Sequence, residues 1–581
     1  MVSATRWGLA ALIATACSRS SEEKQGDAPP APVAATTAGL GSLRFAVTGG
    51  TPAARAHFER GLLALHSFWY DEAERAFQAA IDADRTFSMA YWGLAMSKAR
   101  LLWGDDRVGE ARVLLARLPR PDLLSEREKA WLQAARVLFS DADVATSRRA
   151  FAAEMEKLYA AHPDDESATF LAAALIARLR PGDPDEAAVR ERAIALAGEV
   201  FARNPRHPGA AHYLIHACDT PELAERAMPA ARAYAEIAPA AFHALHMPAH
   251  IFARLGMWKE AIASCQAAWD ASVAEAARHR LGPDHHDFHS LSWLVEVSFE
   301  RGRRRDADAA MERFADAVRG GLSPENRIAY LNQVISYLGR TGEWGRVDEL
   351  LAALEGPVTG GGGAAGAATL PGAADAPPGT ASCAQHAPAS TTAMLQLFER
   401  RAFATARARA AAARRRVPDT RRHIDEIRRV DGELHELLIR TQSPDLVERQ
   451  ELANQRSMRG LLARAQGDRR GLLAVLQEMD AAGPEPSVEG LANAFVHREG
   501  VADELLALGR AREALAAYQD VVRAHPGRSR AMLGAARAAK RAGDPDLART
   551  WYARLLEVWA EADEGTPGLA EARAAAGEIS R

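Results

Sequence analysis

An all-α solenoid of stacked helix–turn–helix units is the fold class that the sequence predicts, on three observations. Alanine is abundant while Val, Ile and Thr are thin and aromatics make up only 6%, a composition that favours helices over a β-sandwich or barrel. Small and large apolar residues recur with a 34-residue period in places along the chain, as repeat architectures require. No P-loop, Rossmann fingerprint or GxSxG elbow is present to suggest another fold. The chain has 581 residues, 48% of them hydrophobic, which is ample for a large core and for about four domains of ordinary size.

The first element is a leader. Arg6 is the only charge before an apolar run, Trp7 to Ala16. That run is too short to span a bilayer and suits a signal-peptide core. It ends Ala14-Thr15-Ala16-Cys17, which resembles a bacterial lipobox, with Ala14 where Leu is usual. The expectation is a lipoprotein-type signal over 1–17, lipidation at Cys17, and a polar, Pro/Ala-rich tether over 18–44. Such a protein works outside the cytoplasm, membrane-associated in the periplasm or at the outer membrane; an ordinary secretory signal is the alternative.

The repeats come next. In YDEAERAFQAAI, Tyr70 is followed by Ala73, Phe77 and Ala80, and Tyr91, Leu94 and Ala95 open a second helix. This small/large alternation is that of a tetratricopeptide repeat, a helix–turn–helix in which Ala lets two helices touch. The phase returns at Gly256 to Ala261, at Gly342 to Trp344, and at Arg512 to Tyr518. Ala514 to Ala548 and Tyr518 to Tyr552 are each one repeat apart. An N-terminal superhelix is therefore expected over 45–355, and a C-terminal helical region over 391–581 with a repeat pair at about 498–560. Between them Gly356 to Ser390 holds GGGG, several prolines, Asp375 as its one charge and no aromatic residue, which reads as a linker.

Charge excludes one class of partner. There are 72 basic and 76 acidic residues, so no overall field draws nucleic acid. The Arg-rich stretch 400–429 has a single aromatic, Phe403, and is interrupted by Asp419, Asp425 and Glu426. It lacks the interleaved aromatics of a stacking surface and reads as an exposed helix face. The four cysteines, Cys17, Cys218, Cys265 and Cys383, include no CxxC, so neither a disulfide framework nor a zinc ribbon is implied.

The chemical signal is histidine. Of 18 histidines, ten lie between His207 and His289. With Ala261 at repeat position 20, a first helix begins at Phe242 and carries His243, His246 and His250 at positions 2, 5 and 9. One repeat earlier, His212, His216 and Asp219 hold positions 5, 9 and 12. An HxxxH pair thus recurs in register on neighbouring helices, each pair on one face. Counting back from Ala307 puts His289 at position 2 and Glu296 at position 9 of the next first helix, and His66 falls at position 13 of the first repeat. In such arrays these positions line the concave groove. Pro248 interrupts its own helix and should bend it.

Three readings stand side by side. The histidines could be packing and capping residues. His212, His216, His246 and His250 with Asp219 could hold zinc or another transition metal. Or the groove could grip an acidic peptide through His66, His243, Arg254, His289 and Glu296. Metalloprotease chemistry is excluded, because neither HYLIH nor HMPAH carries the Glu of HEXXH. No catalytic residue is identified.

HSFWYDEAERAF, AYWGLAM, the string from His212 to Trp258 and ADELLALGRAREALAAY together resemble a group of bacterial tetratricopeptide-repeat proteins without an assigned activity. That resemblance covers most of 55–350 and then 485–560. It implies the fold and the same histidines, with Ala249 where the group has Ser, and it implies no reaction. The function expected is a protein-binding scaffold anchored at the extracytoplasmic face of a bacterial membrane, its partner a protein or peptide in the groove. The alternative is a zinc- or copper-binding protein, or a metal-dependent enzyme.

Overall fold

The structure, a computed structural model, describes residues 37–102, 106–180, 183–354, 389–438, 444–483 and 496–577. Cys17 and the leader, most of the tether, and residues 356–388 of the expected linker lie outside the described residues. Within them the regular elements are helices, and successive helices pack against one another along the chain. The protein is an all-α, repeat-built solenoid. No helix among the described residues is long and apolar enough to cross a membrane.

Helix α1 (Pro52–His66) opens with proline in its first turn and Thr51 as cap, the Ala54 amide donating to the threonine hydroxyl at 3.3 Å. Proline is tolerated there because that amide has no partner inside the helix. The end of α1 is unusual. Trp69 N–H returns to the Ala64 carbonyl and Phe68 N–H to that of Leu65, a Schellman motif whose left-handed position is normally glycine. Here it is Phe68, at φ +52°, a conformation that costs a side-chain-bearing residue roughly 1–2 kcal/mol. Helix α2 (Tyr70–Ala83) follows and packs back on α1 around fully buried Phe77.

Three helices begin where the repeat phase predicts. They are α3 (Pro208–Ala217), α4 (Phe242–His246) and, after the intervening helices, Phe288–Glu300. Pro248 divides the second of these. Lacking an amide proton, it cannot continue the ladder, so α4 stops at His246, Met247 bridges, and α5 (Pro248–Arg254) resumes. Helix α6 (Trp258–Arg278) pairs with both halves, and α7 (Phe288–Glu300) packs on α6.

The C-terminal repeats fold back onto this region. α8 (Ala511–Ala524) and α9 (Ser529–Arg541) are joined by a loop whose Gly527 carbonyl accepts the Trp258 indole N–H at 2.8 Å. Gly256, left-handed at φ +73°, lies so close that a Cβ there would stand 2.7 Å from the Gly527 nitrogen. Buried Glu300 at the end of α7 receives the Ser529 amide at 2.8 Å and the Arg528 guanidinium at 2.9 Å, and pairs with Arg340. Trp559 donates to the Glu300 carbonyl at 3.1 Å. Helix Ala389–Ala413 packs directly on Pro324–Thr341, with Arg327 paired to Glu399 at 2.7 Å. The helices flanking the expected linker therefore share one packed body.

Candidate metal centre

The repeat geometry delivers six imidazoles to one place. From α3 come His212 and His216; from α4, His243 and His246; from α5, His250; from α7, His289. They fall into two sets of three, His212/His216/His243 and His246/His250/His289, in each of which one ligand atom per residue lies within 4.8 Å of the others. His212 Nε2 stands 3.0 Å from His216 Nε2 and 3.2 Å from His243 Nε2. His246 Nε2 stands 3.1 Å from His250 Nε2. A tetrahedral metal with bonds of ~2.0–2.1 Å holds neighbouring nitrogens ~3.3 Å apart.

Hydrogen bonds on the far side of the rings decide what the near side offers. His212 Nδ1 donates to the His66 carbonyl at 2.7 Å. His250 Nδ1 donates to Asp219 Oδ2 at 2.9 Å. His246 Nδ1 lies 2.9 Å from Ser290 Oγ, whose own proton goes to Asp287 Oδ2, so the serine oxygen accepts from the imidazole. In all three rings Nδ1 carries a proton, and Nε2 is the atom that faces the neighbouring rings. His246 and His250 thus bring two Nε2 atoms together, an arrangement that a cation between them, a metal ion or a proton, stabilises. Burial first, then the surrounding imidazoles, hold His246 well below the usual range. The same causes keep His212 and His216 low and His243 at about 3. Neutral imidazole is the form that binds metal.

Outer groups fix the rings. Asp219 bridges His250 and Arg254, whose Nε donates at 2.8 Å. Burial alone would raise its carboxyl, but Arg254 and His250 hold it well below the usual carboxylate range. An ionised carboxylate behind a ligating imidazole orients the ring and raises its basicity. Aromatic rings wall each set. Phe68 contacts His212, His243 and His216, with centroids 4.4, 5.6 and 6.0 Å away. Trp293 covers His250, His246 and His289 at 4.6, 5.1 and 5.9 Å.

Several expected roles change. Asp219 is a second-layer carboxylate, because both its oxygens are taken. Arg254 is paired through its Nε with that carboxylate. Glu296 accepts from Gln333 and Ser336 on the neighbouring helix, away from the imidazoles. His66 leaves the groove altogether. Its Nε2 donates to Glu166 at 2.9 Å, its Nδ1 meets the Tyr213 hydroxyl, and Glu166 also takes the His207 Nε2 proton at 3.0 Å. His207 Nδ1 accepts from Ala210 N, capping α3. Burial would raise Glu166, but His207 and His66 hold it down to about 2. This third cluster is fully satisfied by its own hydrogen bonds. The four central histidines, His212, His216, His246 and His250, are 6% exposed or less, so they do not line an open groove. His243 and His289, expected at its edge, complete the two sets instead.

Sequence reasoning missed Phe68, Trp293, Ser290 and Asp287. Only Phe68 left a signal, as the last residue of the HSF string.

A tetratricopeptide-repeat family model matches residues 505–559. The chain contains tetratricopeptide repeats, a helical scaffold used for protein–protein contact. No curated protein sequence matches it. Among solved structures, it is similar to yeast Tom70 (11% identity, TM-score 0.30, covering 74% of this chain and 93% of that one). It is also similar to the APC/C hetero-tetramer Cut9-Hcn1 (10%, 0.32, covering 91% and 77%). A third is an IFIT1 monomeric mutant with Gppp-AAAA (12%, 0.31, covering 87% and 90%).

Proposed function

We propose that the protein is a transition-metal-binding tetratricopeptide-repeat protein, with the two three-histidine sets as its metal sites. The observation that carries this reading is the approach of the Nε2 atoms of His246 and His250 to 3.1 Å, each ring oriented from behind by a hydrogen bond at Nδ1. All-imidazole donor sets suit zinc, copper, iron or nickel rather than magnesium or calcium. Repeat surfaces away from the imidazoles supply the protein-binding role, and the Ala-Thr-Ala-Cys17 leader supports a lipid anchor at the outer face of a bacterial membrane.

Elemental analysis of the full-length protein, purified without a His tag, tests the metal sites. It should find about two transition-metal ions per chain. His246→Ala/His250→Ala should lose about one of them with helicity intact. Protein that is folded, metal-free and unable to take up zinc or copper would sink the proposal.

A further inference from the structure

The two histidine sets are no farther from each other than their members are from one another. Within the first set, ring centroids lie 4.7, 5.0 and 6.4 Å apart; within the second, 4.5, 5.0 and 6.3 Å. Across the boundary, His216 is 6.1 Å from His250 and His243 is 6.3 Å from His246. The first contact joins the second histidines of the two HxxxH pairs, and the second joins neighbouring histidines on α4. The reason is the repeat itself: one pair sits on α3, its in-register copy on α4 and α5, and adjacent helices pack ~8–10 Å apart.

Each ion would have three imidazole donors and lack a fourth, the pattern of open rather than structural sites. Charge then chooses the fourth ligand. Two divalent ions bring a large positive charge into a buried pocket. The outer carboxylates Asp219 and Asp287 offset part of it, and Arg254 adds to it again. An anion shared between the ions relieves that excess. Phe68 and Trp293, 7% and 6% exposed, wall the two sets with apolar rings and offer no donor of their own to the ions. Phe68 keeps its place in a backbone conformation that disfavours it, the kind of strain that persists where the surroundings over-determine it.

We propose that His212, His216, His243, His246, His250 and His289 form one dinuclear centre that holds two metal ions around a single small oxygen- or nitrogen-donor anion, such as hydroxide or azide. This rests on the metal-binding reading above and goes beyond it: two independent sites would satisfy the first and not the second. The His66–Glu166–His207 cluster takes no part as a ligand set, since its ring nitrogens and carboxylate oxygens are held by one another, by the Tyr213 hydroxyl and by the Ala210 amide.

Copper(II) is the probe. Full-length untagged protein, stripped and reloaded with copper(II) alone and then given azide, is read by metal content and electron paramagnetic resonance together. The expected result is about two coppers per chain with a spin count well below two, or a half-field transition of a close spin pair. His243→Ala and His289→Ala, each truncating a half-buried ring, should each leave about one copper with a full, ordinary mononuclear spectrum. Two coppers per chain that are both fully visible with no half-field signal would overturn the dinuclear centre and leave the metal-binding function standing. One copper per wild-type chain would overturn it as well. No bound copper or zinc at all would overturn the function itself.

Discussion

Phe68 shows how a single residue trades stability for placement. It fills the left-handed position of a Schellman motif, where glycine would be free of strain, and its ring lies over three imidazoles. Truncation to alanine removes the ring and keeps the strain; truncation to glycine removes both. Phe68→Gly should therefore be more stable than Phe68→Ala by ~1–2 kcal/mol, the reverse of their order in an ordinary helix. Denaturant unfolding of the two variants measures the difference, and an alanine variant as stable as the glycine one would show the position to be unstrained. At this scale the sequence was partly legible. HxxxH spacing marks which nitrogens share a face, so His212, His216, His246 and His250 could be picked out. Which carboxylate ligates and which stands behind a ligand depends on partners far away in sequence. Asp219 is turned from ligand to support by Arg254, and His66 is drawn off by Glu166, 100 residues distant.

Helix phase was the most legible feature. Buried alanines such as Ala261 and Ala307, 0% exposed, mark where two helices touch. Counting from them located the starts of α4 and α7, and Pro248 announced its own break. What periodicity could not reveal is the return of the C-terminal repeats, because it reports neighbours in the array and not contacts across it. Those contacts centre on Glu300. Burial raises its carboxyl, but Arg340 and Arg528 outweigh burial and hold it at about 2, against an ordinary value of 4.5. A depressed folded-state value means stability that is present above pH 4.5 and is lost as pH falls toward about 2, on the order of 3 kcal/mol. Trp258 and Trp559 both reach this contact, so their fluorescence should report undocking over that interval. Glu300→Gln, which has no charge to lose, should flatten the acid limb. An unchanged limb in that variant would place the acid response elsewhere.

The whole molecule combines repeats of a kind that contacts other proteins with six clustered histidines. Its composition argued against a β-fold before any helix was placed, and the described residues are helical throughout their regular structure. The Gly/Ala/Pro stretch expected as a linker lies almost wholly outside the described residues, while Arg327–Glu399 and Trp258–Gly527 tie the helices on either side of it together. That closure was not readable, since it depends on surfaces complementary only in three dimensions. Where the molecule resides turns on Cys17. In a bacterial host, Cys17→Ser should move the protein from the membrane to the soluble fraction. Retention in the membrane through an uncleaved leader would refute the lipid anchor.

The loop at His525 to Arg528 docks against Trp258 and Glu300, and its place in the chain gives that docking a time. The last of the six histidines leaves the ribosome roughly 240 residues before the loop does. At ~5–20 residues per second this is on the order of 10 s or more. For that interval the histidine-bearing helices exist without the C-terminal repeats. On the metal-binding proposal, this is the time in which an ion can enter before those repeats dock.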